Sequence, residues 1–361
     1  MLTAIFVRLN TIKFVSYNMI CRIFIILLFI SIPASGQKYS LEYKDIKTDA
    51  SFRGLSVADE QAVWVSGSKG WVGRSADGGE NWTFRKVAGY EQCDFRSLYA
   101  FDSNTAVIAN AGSPAYVLRT EDGGRTWKEL YKNTDSAAFI DGIDFWKEGG
   151  RKHGMIHGDP VKGRMLLLST DDGGKTWTER RNSPELKEGE ASFAASGTAI
   201  KCLKGKRVVV ATGGMVSRLH FSRNRGKTWR VISTPMLSGS PSTGTYSFMT
   251  GHSDERWLIA GGDYKNDTVR TANFFYSTDE GKTWQAPAGT TRGYRECLAQ
   301  KSAIKMIFAV GPSGIDFSTD NGVVWRALSD EKGFHVIKEG KGDVMFLAGA
   351  NGKLAIMKVE L

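Results

Sequence analysis

Short apolar runs broken by clusters of Gly, Asp, Asn and Ser fill the chain from Tyr39 onward, the pattern of many short strands joined by tight turns. One run differs. Cys21–Pro33 is apolar almost throughout after Arg22, follows the basic residues Arg8 and Lys13, and is succeeded by Ala34-Ser35-Gly36. A basic start, a short apolar middle and small residues before the junction form a secretory signal peptide, with cleavage expected after Gly36. The run is shorter than the roughly 20 residues a membrane span needs, so no span is expected in the mature chain. Met19 is an alternative start to Met1. We expect residues 1–36 to be the signal, residues 37–361 a single domain, and the protein to be periplasmic or secreted.

The remaining runs are punctuated by an eight-residue signature: a hydroxyl residue, Asp or Asn two later, Gly four later and Trp seven later. Six copies start at Ser75, Thr120, Thr170, Ser222, Ser277 and Ser318, with successive starts 45, 50, 52, 55 and 41 residues apart. An apolar strand such as Arg164–Thr170 precedes each copy and the Trp opens another, so each copy predicts a hairpin turn. Asp77, Asp122, Asp172, Asn224, Asp279 and Asp320 can accept backbone N–H groups and hold that turn. The glycine supplies positive φ, and the Trp is a large apolar plate for packing. These six residues are therefore read as structural. The signature resembles the Asp-box, or BNR, repeat of sialidase-like propellers, in which the box is a structural element.

Two further strands precede each signature. In the first unit they are Ser51–Val57 and Gln61–Ser66, followed by Trp71–Ser75 and Trp82–Lys86. Four antiparallel strands per period make one propeller blade. A seventh unit follows the last signature and stops after three strands, and Tyr39–Ile46 can supply the fourth. The prediction is an all-β, seven-bladed β-propeller of four-stranded antiparallel blades, closed by the N-terminal strand. Six blades with an independent terminal hairpin is the competing geometry.

Composition sharpens this reading. With 41 Gly, 10 Trp, 8 Pro and 41% hydrophobic residues, the chain is neither disordered nor collagenous. The formal charge of +10 becomes +7 once Arg8, Lys13 and Arg22 leave with the signal. No Lys/Arg run remains, and nucleic acid is not an expected partner. Cys93, Cys202 and Cys297 are scattered, which gives neither a disulfide framework nor a zinc pattern.

Candidate chemistry follows from aligning the inner strands. Phe52, Phe95, Ile140, Phe193, Tyr246, Tyr294 and Phe334 share one position, and Arg53, Arg96, Asp141, Ala194, Ser247, Arg295 and His335 share the next. Strand alternation would place the first set between blades and turn the second toward the channel. Arg53, Arg96 and Arg295 would then crown one mouth with His335, a cluster suited to carboxylate or phosphate groups. The turns bearing Asp159, Arg164 and Asp263 lie on the same face, and Glu190 enters it beside them. His153 and His157 do not share a helix face, and no metal or cofactor is expected.

These stretches together resemble a bacterial family related to the photosystem II stability/assembly factors. The resemblance rests on G-D-P-V-K-G-R, G-E-A-S-F-A-A-S-G, G-G-D-Y, R-G-Y-R-E and A-V-G-P-S-G as well as the boxes. It implies a propeller in an exported compartment, binding rather than catalysis, and an arginine-bearing face. Two classes of function follow. In the first, Arg53, Arg96, Arg164, Asp263, Arg295 and His335 bind a partner protein or an anionic ligand, and the protein is a monomer. In the second, the chain is a sialidase-like hydrolase or a carbohydrate binder. There Tyr246 or Tyr264 is the nucleophile, Glu190 activates it, and Asp141 or Asp159 is the acid. No dinucleotide fingerprint supports an oxidoreductase.

Overall fold

Each signature folds as one hydrogen-bonded turn with the same wiring. The leading hydroxyl accepts the N–H of the glycine four residues on, at 2.8 Å for Ser75 and Gly79 and 3.0 Å for Thr120 and Gly124. It also donates to the box carboxylate, as Thr170 does to Asp172 at 2.8 Å. That carboxylate then accepts the N–H groups that open the next strand, Lys175 at 2.9 Å and Thr176 at 3.0 Å. Asn224 makes the same contact to Thr228 at 2.9 Å through its carbonyl oxygen. The box therefore needs an acceptor, and a charge is optional.

The computed structural model describes residues 39–146, 153–253 and 255–359. The stretch read as a signal peptide, residues 1–36, lies outside them. The described residues form seven antiparallel sheets in a ring. Their inner strands are Phe52–Val57, Ser97–Ala100, Ile140–Phe145, Ile200–Leu203, Thr243–Thr250, Cys297–Lys301 and Phe334–Glu339, numbered here as blades 1 to 7. Blade 7 is completed by Tyr39–Tyr43, which pairs antiparallel with Leu354–Val359, so the N-terminal strand closes the ring as predicted.

The box glycine is also where one blade meets the one before it. A Cβ at Gly79 would lie 2.5 Å from the Phe346 ring of blade 7, and one at Gly124 3.3 Å from Trp64 of blade 1. Gly226 likewise faces Met155, and Gly322 faces Leu258 and Phe274. Positive φ at these glycines (+74° to +95°) and the missing side chain are both required. The box Trp follows the same logic: Trp127 meets Trp64 edge-on, and Trp325 meets Phe274.

Two sequence expectations are corrected. The inner strand of blade 4 is Ile200–Leu203, and Phe193 lies seven residues earlier in an irregular segment. Glu190–Ala191 is a separate short strand paired with Gly213–Gly214, and together they extend the inner edge of the blade 5 sheet. At its outer edge that sheet has only the bridge between Tyr276 and Gln285 in place of a full fourth strand.

Candidate functional site at the channel mouth

Four inner strands carry a β-bulge in their first half, and the extra residue is a candidate site residue each time. In blade 1, Phe52 pairs with Gly67 and Gly54 with Ser66, which leaves Arg53 unpaired in the ladder. The same slip frees Asp141 in blade 3, Tyr246 in blade 5 and His335 in blade 7. A bulge breaks the pleat alternation and re-aims one side chain. The facing strand must come close, and it does so at a glycine. A Cβ at Gly67, Gly158, Gly261 or Gly349 would sit between 1.9 and 2.1 Å from a backbone oxygen of the opposite strand. In blade 5 the slip falls on Tyr246, so Ser247 is a regular ladder residue rather than the outlier.

A strap crosses this mouth. Residues 192–198 leave blade 3, where the Ser192 N–H donates to Asp159 at 3.0 Å and its hydroxyl lies 3.1 Å from His157 Nδ1. Arg53 of blade 1 donates to the Ala195 carbonyl at 2.9 Å. The Ser196 hydroxyl donates to the Glu296 carbonyl beside blade 6 at 2.7 Å, and Thr198 donates to Ser247 of blade 5 at 2.8 Å. Contacts to four blades roof the channel at this end.

The three arginines expected to crown the axis engage three different carboxylates. Arg53 meets Glu296 at 2.9 Å, and His335 Nδ1 lies 2.8 Å from the same oxygen. Burial raises the Glu296 carboxyl, but Arg53 and His335 outweigh it and hold the group below its ordinary value. Arg295 is fully buried, donating to Asp316 at 2.9 Å and to the Tyr294 carbonyl at 2.7 Å, while Arg292 meets Asp316 at 2.6 Å. Arg96 meets Asp94 at 2.7 Å. Arg164, further out, is held by Glu185 and the Ser183 carbonyl. Sequence reading passed over Asp94, Glu296 and Asp316. Only Glu296 carried a signal, as the acid in R-G-Y-R-E.

The residues of the hydrolase alternative are not brought into one constellation. The buried Glu190 carboxylate accepts from Thr212 at 2.6 Å, the Lys187 N–H at 2.9 Å and Arg218, with His220 at 3.2 Å. Burial pushes it up, yet these bonds bring it down to about 2. Tyr246 donates instead to the Ser242 carbonyl at 2.8 Å, and burial raises its phenol far above the ordinary value. Asp141 is fully buried and neither oxygen has a hydrogen-bond partner. Burial and the nearby Asp159 push Asp141 well up, with Arg96 opposing, and burial raises Asp159 to about 6. Burial and His220 bring His157 down to about 3. Among the described residues, no group of three or more His, Cys, Asp or Glu side chains is placed to hold a metal ion.

What the mouth does present is aromatic. Phe193 stacks on Tyr246 with centroids 3.9 Å apart, and Tyr264 meets Tyr246 at 6.5 Å, nearly perpendicular. Asp263 fixes the turn that carries Tyr264, accepting the Lys265 N–H at 2.9 Å and the Asn266 amide at 2.7 Å. Tyr264 is 49% exposed and Met215 48% exposed, and both flank the turn at 239–243.

Comparison with known proteins agrees with this architecture. The family model for "Photosynthesis system II assembly factor YCF48" matches residues 34–137, which include Arg53 and Arg96. A structure of YCF48 bound to D1 peptide superposes with a TM-score of 0.62 at 18% identity, covering 89% of this chain and 97% of that one. The ring has the fold of YCF48, and its first third resembles that family's model. YCF48 from Cyanidioschyzon merolae superposes with a TM-score of 0.63 at 16% identity, covering 88% and 99%. The ring also shares its fold with the GH74 xyloglucanase from Xanthomonas campestris, at 13% identity and a TM-score of 0.58, covering 88% of this chain and 53% of the enzyme. A second family model, for sortilin and neurotensin receptor 3, matches residues 164–311. No curated protein matches the chain.

Proposed function

We propose that this protein is an exported binding propeller of the assembly-factor type, which holds a segment of a partner protein on the strap-bearing face. The observation that carries the reading is the match of residues 34–137 to the YCF48 model, together with a full-ring likeness to a YCF48 captured with a peptide. The chemistry of the face supports it. Tyr264 and Met215 offer exposed apolar surface around the turn at 239–243, suited to side-chain anchoring. The buried pairs Arg53–Glu296 and Arg295–Asp316 lie beneath as a rigid frame rather than as free ligands.

Export is part of the proposal and rests on the pattern of residues 1–36. Cell fractionation with N-terminal sequencing of the mature protein tests it, with a new terminus at Gln37 expected. For binding, in-cell crosslinking is expected to join a discrete partner to the wild type. That crosslink is expected to be lost in Tyr264→Ala/Met215→Ala and kept in Lys282→Ala, on the opposite face. Equal crosslinking in all three would remove the face from the account.

A further inference from the structure

Beneath the strap the channel widens into a chamber of about 330 Å³ lined by the inner strands of all seven blades. Roofed at the mouth, it is a blind compartment of ligand size, since ligand pockets run from about 300 to 1,000 Å³. Its charges are unevenly engaged. Glu339 accepts from the Ser302 N–H at 2.8 Å and hydroxyl at 3.0 Å, and lies 3.6 Å from Lys301. Asp144 accepts the Cys202 N–H at 2.8 Å. Both lining carboxylates are thus occupied by the protein itself.

Two of the lining cations are held less fully. Arg96 uses Nε on Asp94, and its two terminal nitrogens have no hydrogen-bond partner among the described residues. Lys201 reaches Asp144 only at 3.6 Å, too long for a good hydrogen bond, and its side chain is 42% exposed. The rest of the lining is mixed. Leu98, Ile143 and Phe248 give apolar surface, while Ser56, Thr250 and Gln300 add hydroxyl and amide groups. The Ser56 oxygen accepts the Ala100 N–H at 3.0 Å, which leaves its O–H to donate.

We propose that the chamber binds a small hydroxylated organic acid, with the carboxylate on Arg96 and Lys201 and the hydroxyls on Ser56, Thr250 and Gln300. A guanidinium fork takes a carboxylate in pairs, and a blind cleft with positive groups on its wall concentrates the anion. The apolar wall accounts for a carbon skeleton rather than a bare inorganic ion. The site lies inside the ring and does not depend on whether a partner docks outside it.

Calorimetric titration of the purified protein with D-glucuronate, D-glucose and succinate tests this. Glucuronate is expected to bind one to one, with glucose and succinate at least tenfold weaker. Arg96→Gln and Lys201→Met are each expected to weaken glucuronate at least tenfold, whereas Lys201→Arg keeps it within threefold and shows that the site still folds. Raising salt from about 50 to about 500 mM should weaken the wild type further, because screening acts on the ion pair. Absence of glucuronate binding overturns the proposal. So does equal binding of glucose or succinate, or unchanged affinity in folded Arg96→Gln and Lys201→Met.

Discussion

At the scale of single residues, the box carboxylate is worth the hydrogen bonds it accepts. Asp122 receives the Arg125 and Thr126 N–H groups and the Thr120 and Thr126 hydroxyls. Asp122→Ala is expected to destabilise the protein by about 1–2 kcal/mol in chemical denaturation, the usual loss for a capped turn. Asp122→Asn should cost less than about 1 kcal/mol, because Asn224 already serves in the fourth box. Asp122 and Asp172 are held down to about 2, Asp122 chiefly by the Thr126 bonds and Asp172 by the Thr176 bonds against its burial. Their contribution is therefore full above the unfolded value of about 4 and fades as pH falls toward 2. Asp141 has the opposite sign. Its buried carboxyl is raised, so the folded state is penalised increasingly as pH climbs above the unfolded value. The melting-temperature difference between Asp141→Asn and wild type should rise from pH 3.5 to pH 8. A constant difference would show that Asp141 ionises in the folded state as it does in the unfolded chain.

At the scale of elements, a bulge is only as stable as the glycine facing it. Gly261→Ala would drive a methyl into the Gly244 carbonyl, and a loss of about 3 kcal/mol or more is expected on denaturation. Gly163→Ala meets nothing within 4 Å and bears only the strain of positive φ, about 1 kcal/mol. These glycines explain the motifs that stood out in the sequence. G-D-P-V-K-G-R and G-G-D-Y each contain a residue that lets a bulge form, Gly158 and Gly261. The boxes were legible because their chemistry closes within eight residues. The bulges and the strap were not: a bulge is set by a glycine 15 to 18 residues away on the facing strand, and the strap by partners 33 to 142 residues away. Phe193-Ala194-Ala195 has the alternation of an inner strand, but Glu190–Ala191 pairs with Gly213–Gly214 and the following residues are drawn across the mouth. The arginines were legible as residues; Asp94 and Asp316 neutralise theirs within one blade, whereas the Arg53–Glu296 pair spans the ring between blades 1 and 6.

At the scale of the whole molecule, closure rests on the five residues Tyr39–Tyr43. A chain shortened to begin at Lys44 would expose the edge of Leu354–Val359, an apolar strand. It is expected to melt at lower temperature and to self-associate, as followed by calorimetry and light scattering. An unchanged, monomeric melt would mean that the seventh blade stands on three strands. The bulges add a property of the ring as a count. They occur in blades 1, 3, 5 and 7 and are missing from 2, 4 and 6, an alternation that an even ring could complete without a flaw. Seven is odd, so two bulged blades must stand side by side, and they do so where the N-terminal strand closes the circle. There Arg53 and His335 reach the same carboxylate, Glu296. The seam is a parity defect. It gives an otherwise repetitive ring one address that no other pair of blades can copy.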